Sequence, residues 1–229
     1  MAPATTGTAR TPPGHGTPTR ARRRGTAALV LGALSALLLA LVAASWRPLL
    51  SLDSSLARSA HRQAVRHEGL THTCRVLSDW VWDPWTFRLL AVLLVVWLLA
   101  RGARDRAVRI AVVCLVGTVL QQLVKAAVGR ERPVWPDPVD SAHFAAYPSG
   151  HALTATVVSG LLWWVLRGYG APRPVLWAVG ALLVVSVVGV GLTRVWLGVH
   201  WPSDVVGGWL LGALLVVAET GPRRDRGAS

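Results

Sequence analysis

Residues 84–125 read PWTFRLLAVLLVVWLLARGARDRAVRIAVVCLVGTVLQQLVK. Two apolar runs, 84–100 and 107–124, flank a basic connection that holds Arg101, Arg104, Arg106 and Arg109. Each run approaches the roughly 20 residues that carry a helix across a bilayer core, and an arginine cluster between two such runs marks the cytoplasmic side. The second run ends on Gln121, Gln122 and Lys125. These groups are costly to place in lipid, so that end should face a polar cavity.

The same pattern recurs outward from this hairpin. Apolar runs at 26–46, 150–168, 174–192 and 203–219 bring the expected spans to six. Of the 229 residues, 52% are hydrophobic and only 15% charged, so the fold class expected is an all-α, polytopic membrane bundle. Gly208 and Gly212 in the last run offer a small-residue face for close helix packing. The net charge of +13 sits in short connections and tails, which is a topology pattern rather than a nucleic-acid patch; no nucleic-acid partner is expected.

Residues 1–25, rich in Thr, Pro, Gly and Arg, read as a disordered basic tail in which His15 is solvated. The membrane domain is expected over 26–219 and a second tail over 220–229. The first run, with Ala43-Ala44-Ser45 behind it, shares features with a secretory signal, but its length favours an uncleaved anchor. Residues 47–79 keep a spaced apolar set, Leu49, Leu50, Leu52, Leu56, Ala60, Val65 and Leu70, which predicts an amphipathic helix at the interface between the first and second spans. His61, His67 and His72 lack ligand spacing and read as a solvated face. Cys74 and Cys114 form no disulfide framework.

With the N-terminus inside, fourteen basic residues fall in inner segments and nine in outer ones, and the outer set contains Lys125, Arg130, Arg132 and Arg194. Trp46, Trp80, Trp82, Trp85, Trp135, Trp196 and Trp201 gather at the outer ends, as an interfacial belt would. Both termini are therefore expected in the cytoplasm of a multi-pass cell-membrane protein.

Three polar clusters also fall at those outer ends: Lys125-x6-Arg132-Pro133, Pro148-Ser149-Gly150-His151, and Thr193-Arg194-x5-His200-x3-Asp204. Lys125, Arg132 and Arg194 are fixed cations of the kind that neutralise a phosphoryl group. Ser149 and Gly150 should open a helix whose free N–H groups bind an anion. If a helix begins near Trp201-Pro202, Asp204 faces back toward His200, fixing one ring nitrogen and freeing the other to attack phosphorus. His151 is then available as a proton donor.

These three clusters resemble, in order, the signature motifs of the type 2 phosphatidic acid phosphatase superfamily. Thr193 stands where that family more often has serine, and keeps the hydroxyl. The resemblance implies that His200 is a nucleophile forming a phosphohistidine, Asp204 its orienting partner and His151 the general acid. It implies phosphate binding by Lys125, Arg132, Ser149, Gly150 and Arg194. It also implies no metal and no cofactor; the sequence has no His/Cys/Asp cluster with ligand spacing.

The expected activity is hydrolysis of a lipid phosphate or diphosphate, such as polyprenyl diphosphate or phosphatidate, at the extracytoplasmic face. Membrane lipids are the other expected partners. The alternatives are a phosphotransferase that uses the same phosphohistidine, and a non-enzymatic protein that binds or transports a lipid phosphate.

Overall fold

The structure, a computed structural model, describes residues 18–220. The expectations for residues 1–17 and 221–229 lie outside the described residues. All the elements described are helical: α1 (Pro18–Ala43), α2 (Arg47–Arg66), α3 (Glu68–Val76), α4 (Pro84–Ala100), α5 (Arg104–Val128), α6 (Gly150–Gly168), α7 (Arg173–Trp196) and α8 (Pro202–Glu219). Five stretches are long and apolar enough to cross a membrane: Arg22–Ala43, Glu68–Ala100, Arg104–Val128, Arg173–Trp196 and Pro202–Glu219. The second joins α3 to α4 through a widened turn over Leu77–Val81.

The helix ends follow from local chemistry. Asp83 caps α4, its Oδ1 accepting from Trp85 N at 2.7 Å, and Pro84 fills the first helical position. α5 stops at Gly129, whose φ of 59° is the left-handed conformation that glycine adopts without strain. α1 starts at Pro18, so residues 18–25 are helical where a disordered segment is expected.

α6 is the centre of the bundle and packs against α4, α5, α7 and α8. One face, Leu153, Val157, Leu161 and Val165, meets Leu94 and Leu98 of α4 and Ile110 and Val113 of α5. Another, Ala155 and Val158, meets Phe87, Ala91 and Val190. The outer surfaces of the other helices are apolar and exposed, for example Leu89, Val92, Leu115, Leu123, Leu182 and Val185. A surface of this kind suits lipid rather than water.

α8 runs close along α6 because of its glycines. A Cβ on Gly208 would stand 2.7 Å from the Ser149 carbonyl oxygen, and one on Gly212 would stand 2.8 Å from Thr156 Cβ. The expected small-residue face is therefore a packing face within the chain. Gly208→Val should cost about 1–3 kcal/mol by overpacking, and a drop in the thermal midpoint of the detergent-solubilised protein checks this.

Residues 47–79 fold as two helices rather than one, with the break at His67. The buried face of α2 is Asp53, Ala57, His61 and Ala64, while Leu52, Leu56 and Val65 point outward. His61 is thus not part of a solvated face. It is 5% exposed, its Nε2 lies 2.9 Å from Asp137 Oδ1, and its ring stacks on Trp135 at 4.2 Å. This pins α2 to the loop between α5 and α6, and the hydrogen bond from His61 lowers the Asp137 carboxyl pKa.

Candidate active site

Five chain segments meet at one end of the bundle: the turn from α3 into α4, the last turn of α5, the 129–149 loop, the start of α6, and the turn from α7 into α8. Two backbone links hold them in register. Ser149 N donates to the Asp204 carbonyl at 2.9 Å, and Ala146 N donates to the Arg130 carbonyl at 2.8 Å. α7 is closed by Gly198 at φ 70°, and Trp135 Nε1 donates to the Gly198 carbonyl at 2.8 Å. That turn delivers His200 into the interior, where it is 1% exposed.

α8 begins with Trp201 extended and Pro202 in its first turn, so Asp204 occupies the third helical position. Its Oδ2 accepts from Trp201 N at 2.8 Å and lies 3.3 Å from His200 Nδ1. Its Oδ1 accepts from Arg130 Nη1 at 2.6 Å. With Nδ1 on the carboxylate, His200 Nε2 is the free nitrogen, and Arg132 Nη1 lies 3.2 Å from it. Burial, and then the charges of Arg132, Arg194 and Lys125, hold the His200 pKa well below its ordinary value. The imidazole is therefore neutral near pH 7, with an available lone pair on Nε2.

The three cations are held by carbonyl and side-chain oxygens around the cavity they face. Arg132 donates through Nε to the Phe144 carbonyl at 2.9 Å, through Nη2 to the His143 carbonyl at 3.0 Å, and through Nη1 to the Val199 carbonyl at 2.5 Å. Burial and Arg194 bring its pKa down to about 10, so it is still charged at neutral pH. Lys125 Nζ donates to the Ala145 carbonyl. Arg194 donates to Ser78 Oγ at 2.6 Å, while its buried Nε has no partner.

These groups line a cavity of about 330 Å³, together with Gly150, His151, His200, Gln121, Asp79, Asp83 and Asp140. His151 Nε2 is 3.9 Å from Asp83 Oδ2. A Cβ on Gly150 would stand 2.6 Å from Gln121 Nε2, so the Gln121 side-chain end would have to shift to admit one. Ser149 is fully buried and caps α6, its Oγ accepting from Ala152 N at 3.5 Å.

Of the site residues expected from sequence, Lys125, Arg132, Gly150, His151, Arg194 and His200 line this one cavity, with Ser149 and Asp204 immediately behind it. Gln121 and Gln122, expected to face a polar cavity, line it, whereas Arg130, Asp53 and Asp83 are not singled out by sequence. Arg130 lies two positions before Arg132 and was counted only as a charge. Asp53 carries no local signal at all, because its partners are 77 and 150 residues away.

The chain is a helical bundle with a membrane-type surface that carries a buried histidine–carboxylate pair and three cations around one cavity at one end. The family described as the PAP2 superfamily matches residues 106–221, and the chain belongs to it. It is 30% identical over 158 residues to an undecaprenyl-diphosphatase from Sulfolobus acidocaldarius, covering 63% of this chain and 66% of that one. It is 38% identical over 109 residues to a decaprenylphosphoryl-5-phosphoribose phosphatase from Mycobacterium tuberculosis, covering 45% and 55%. The matched regions thus span about half to two thirds of those relatives' lengths. In fold, the chain is similar to the crystal structure of a transmembrane PAP2 type phosphatidylglycerolphosphate phosphatase from Bacillus subtilis. The TM-score is 0.75 at 23% identity, over 87% of this chain and 98% of that one.

Proposed function

We propose that the chain is an integral membrane phosphatase that hydrolyses a lipid phosphate or diphosphate through a phosphohistidine on His200. The observation that carries this reading is the single cavity lined by His200 Nε2, His151, Lys125, Arg132 and Arg194, with Asp204 fixing the far side of the His200 ring. Relatives named as lipid phosphatases and diphosphatases support it. So does an apolar cavity of about 480 Å³ between α4, α5 and α6, one helical turn below the polar one, where Thr118 and Thr154 follow Gln121 and His151. A lipid tail fits that chemistry.

In the first step the His200 Nε2 lone pair attacks phosphorus, the bond from phosphorus to the lipid oxygen breaks, and His151 gives that oxygen its proton. Lys125, Arg132, Arg194 and the N–H groups opening α6 hold the oxygens on which charge shifts. In the second step water attacks the phosphohistidine, His151 takes its proton, and the P–N bond electrons return to Nε2. Phosphate then leaves.

The reading includes six spans, with α6 as the sixth. α6 is 19 residues long but opens on Gly150-His151 and carries Thr154, Thr156 and Ser159; enclosed by four neighbours, it needs less apolar surface than the helices that meet lipid. The exposed Trp46, Trp80 and Trp85 lie at the end holding the cavity. Arg101, Arg104 and Arg106 lie at the other, which favours an extracytoplasmic site and cytoplasmic termini. α2 would rest in the interface with Leu52 and Leu56 toward lipid. An outward site suits recycling of a polyprenyl diphosphate carrier.

Phosphate release by the detergent-solubilised protein, with EDTA present, tests the reading on polyprenyl diphosphate, phosphatidate and phosphatidylglycerophosphate. We expect release from at least one. Release that needs an added alcohol acceptor would establish the transferase instead, and binding without turnover would establish a carrier. The pH profile carries a second expectation. Because His200 stays neutral below the ordinary imidazole value of about 6.5, the acid limb of kcat/KM should lie below that value. A limb at 6.5 or above would contradict this.

A further inference from the structure

Asp53 of α2 is 2% exposed and stands outside the three motifs. Its Oδ1 accepts from Ser203 N at 2.9 Å, and its Oδ2 accepts from Ser203 Oγ at 2.5 Å and from Arg130 Nη2 at 2.7 Å. It therefore caps the first turn of α8 from another helix, taking up an N–H that α8 cannot satisfy itself. Arg130 spends its other terminal nitrogen on Asp204 Oδ1 at 2.6 Å and Ser203 Oγ at 2.7 Å, with its guanidinium 5.6 Å over the Trp201 ring.

The arrangement is a line of alternating charge, Asp53–Arg130–Asp204, that ends on His200 Nδ1. Arg130 grips the Asp204 oxygen that His200 does not use. Without that grip a buried carboxylate oxygen loses its partner, and only the Trp201 N–H on Oδ2 is left to set the carboxylate's last torsion. His200 would then face, at 3.3 Å, a carboxylate anchored at one oxygen rather than two. The fork geometry matters here, because a guanidinium can bridge two carboxylates where an ammonium presents one nitrogen.

We propose that Asp53 and Arg130 are positioning residues for catalysis: Asp53 fixes Arg130, and Arg130 fixes the Asp204 carboxylate on the His200 ring. The anion cradle is anchored separately, by carbonyls and Ser78, so substrate binding does not depend on this pair. The proposal rests on the reading of His200 as nucleophile.

The test compares wild type, Asp53→Asn, Arg130→Lys and the double variant, with inorganic phosphate as the probe of the anion cradle. Each single variant should lower kcat roughly 10- to 100-fold, the scale seen for hydrogen-bond partners behind metal-ligating histidines, with KM and phosphate inhibition within about twofold. The double variant should fall no further than the worse single, because both act through one contact. Additive losses, a kcat within twofold of wild type, or loss of phosphate affinity in step with kcat would each overturn the proposal. If Asp53→Asn does not fold, Arg130→Lys, which keeps the charge and most of the packing, decides by the same kcat and phosphate criteria. His200→Ala run alongside separates the two levels, since turnover surviving there would overturn the nucleophile reading itself.

Discussion

His200→Ala should lower kcat for lipid phosphate hydrolysis by about 10⁴–10⁶-fold, the range found when a covalent nucleophile is removed. The size of the effect follows from the geometry. Among the described residues, His200 Nε2 is the one ring nitrogen opposite a buried carboxylate that also faces the cavity cations, so no neighbour inherits its role. The binding terms should survive. Arg132 loses its 3.2 Å contact with the imidazole but keeps the Phe144, His143 and Val199 carbonyls, and Arg194 keeps Ser78. The expected signature is a collapse of kcat with KM and inhibition by inorganic phosphate nearly unchanged. Labelled substrate quenched in alkali, where a phosphohistidine persists, should tag the wild type and leave the variant blank. Retention of more than a hundredth of the activity, or a tag on the variant, would remove His200 from the chemistry.

What the sequence made legible is what depends on neighbours along the chain. The four-residue spacing of His200 and Asp204 reads directly as one helical turn, and Pro202 sets its phase; the structure has that turn, with the ring and carboxylate 3.3 Å apart. Ser149 before Gly150 likewise reads as a helix opening. The apolar runs mark the lipid-facing helices because bilayer thickness imposes a length. Asp53 and His61 were illegible for the opposite reason. In water α2 would bury its leucines, but here Leu52 and Leu56 face outward and the face holding Asp53, Ala57, His61 and Ala64 docks on the bundle. Which face is inside depends on what surrounds the helix. Arg130 was misread for a related cause: an arginine near a span end reads as a topology charge, and only two aspartates distant in sequence turn it into a structural one.

His151→Ala should show an effect that depends on what leaves. A positioned general acid contributes about 10²–10⁴-fold, and its worth is greatest where the departing oxygen is a strongly basic alkoxide, as in phosphatidate. A diphosphate releases a monoester anion that is stable unprotonated, and p-nitrophenyl phosphate releases a delocalised phenolate. For these two, formation of the phosphoenzyme should slow by less than roughly tenfold. The second step does not share this leniency. Activating water requires the same imidazole as a base, whatever the first leaving group was. In the variant, p-nitrophenyl phosphate should therefore give a stoichiometric burst of nitrophenolate followed by a steady state slowed about 10²–10⁴-fold, with phosphohistidine accumulating on His200. Phosphatidate should give neither burst nor accumulation, because its first step is already blocked. Stopped-flow absorbance with alkaline quench distinguishes these patterns. Equal losses on all three substrates without a burst would mean that His151 only shapes the cavity, and that the proton passes through another group at its rim, of which Asp83, 3.9 Å from the His151 ring nitrogen, stands nearest by the measured contacts.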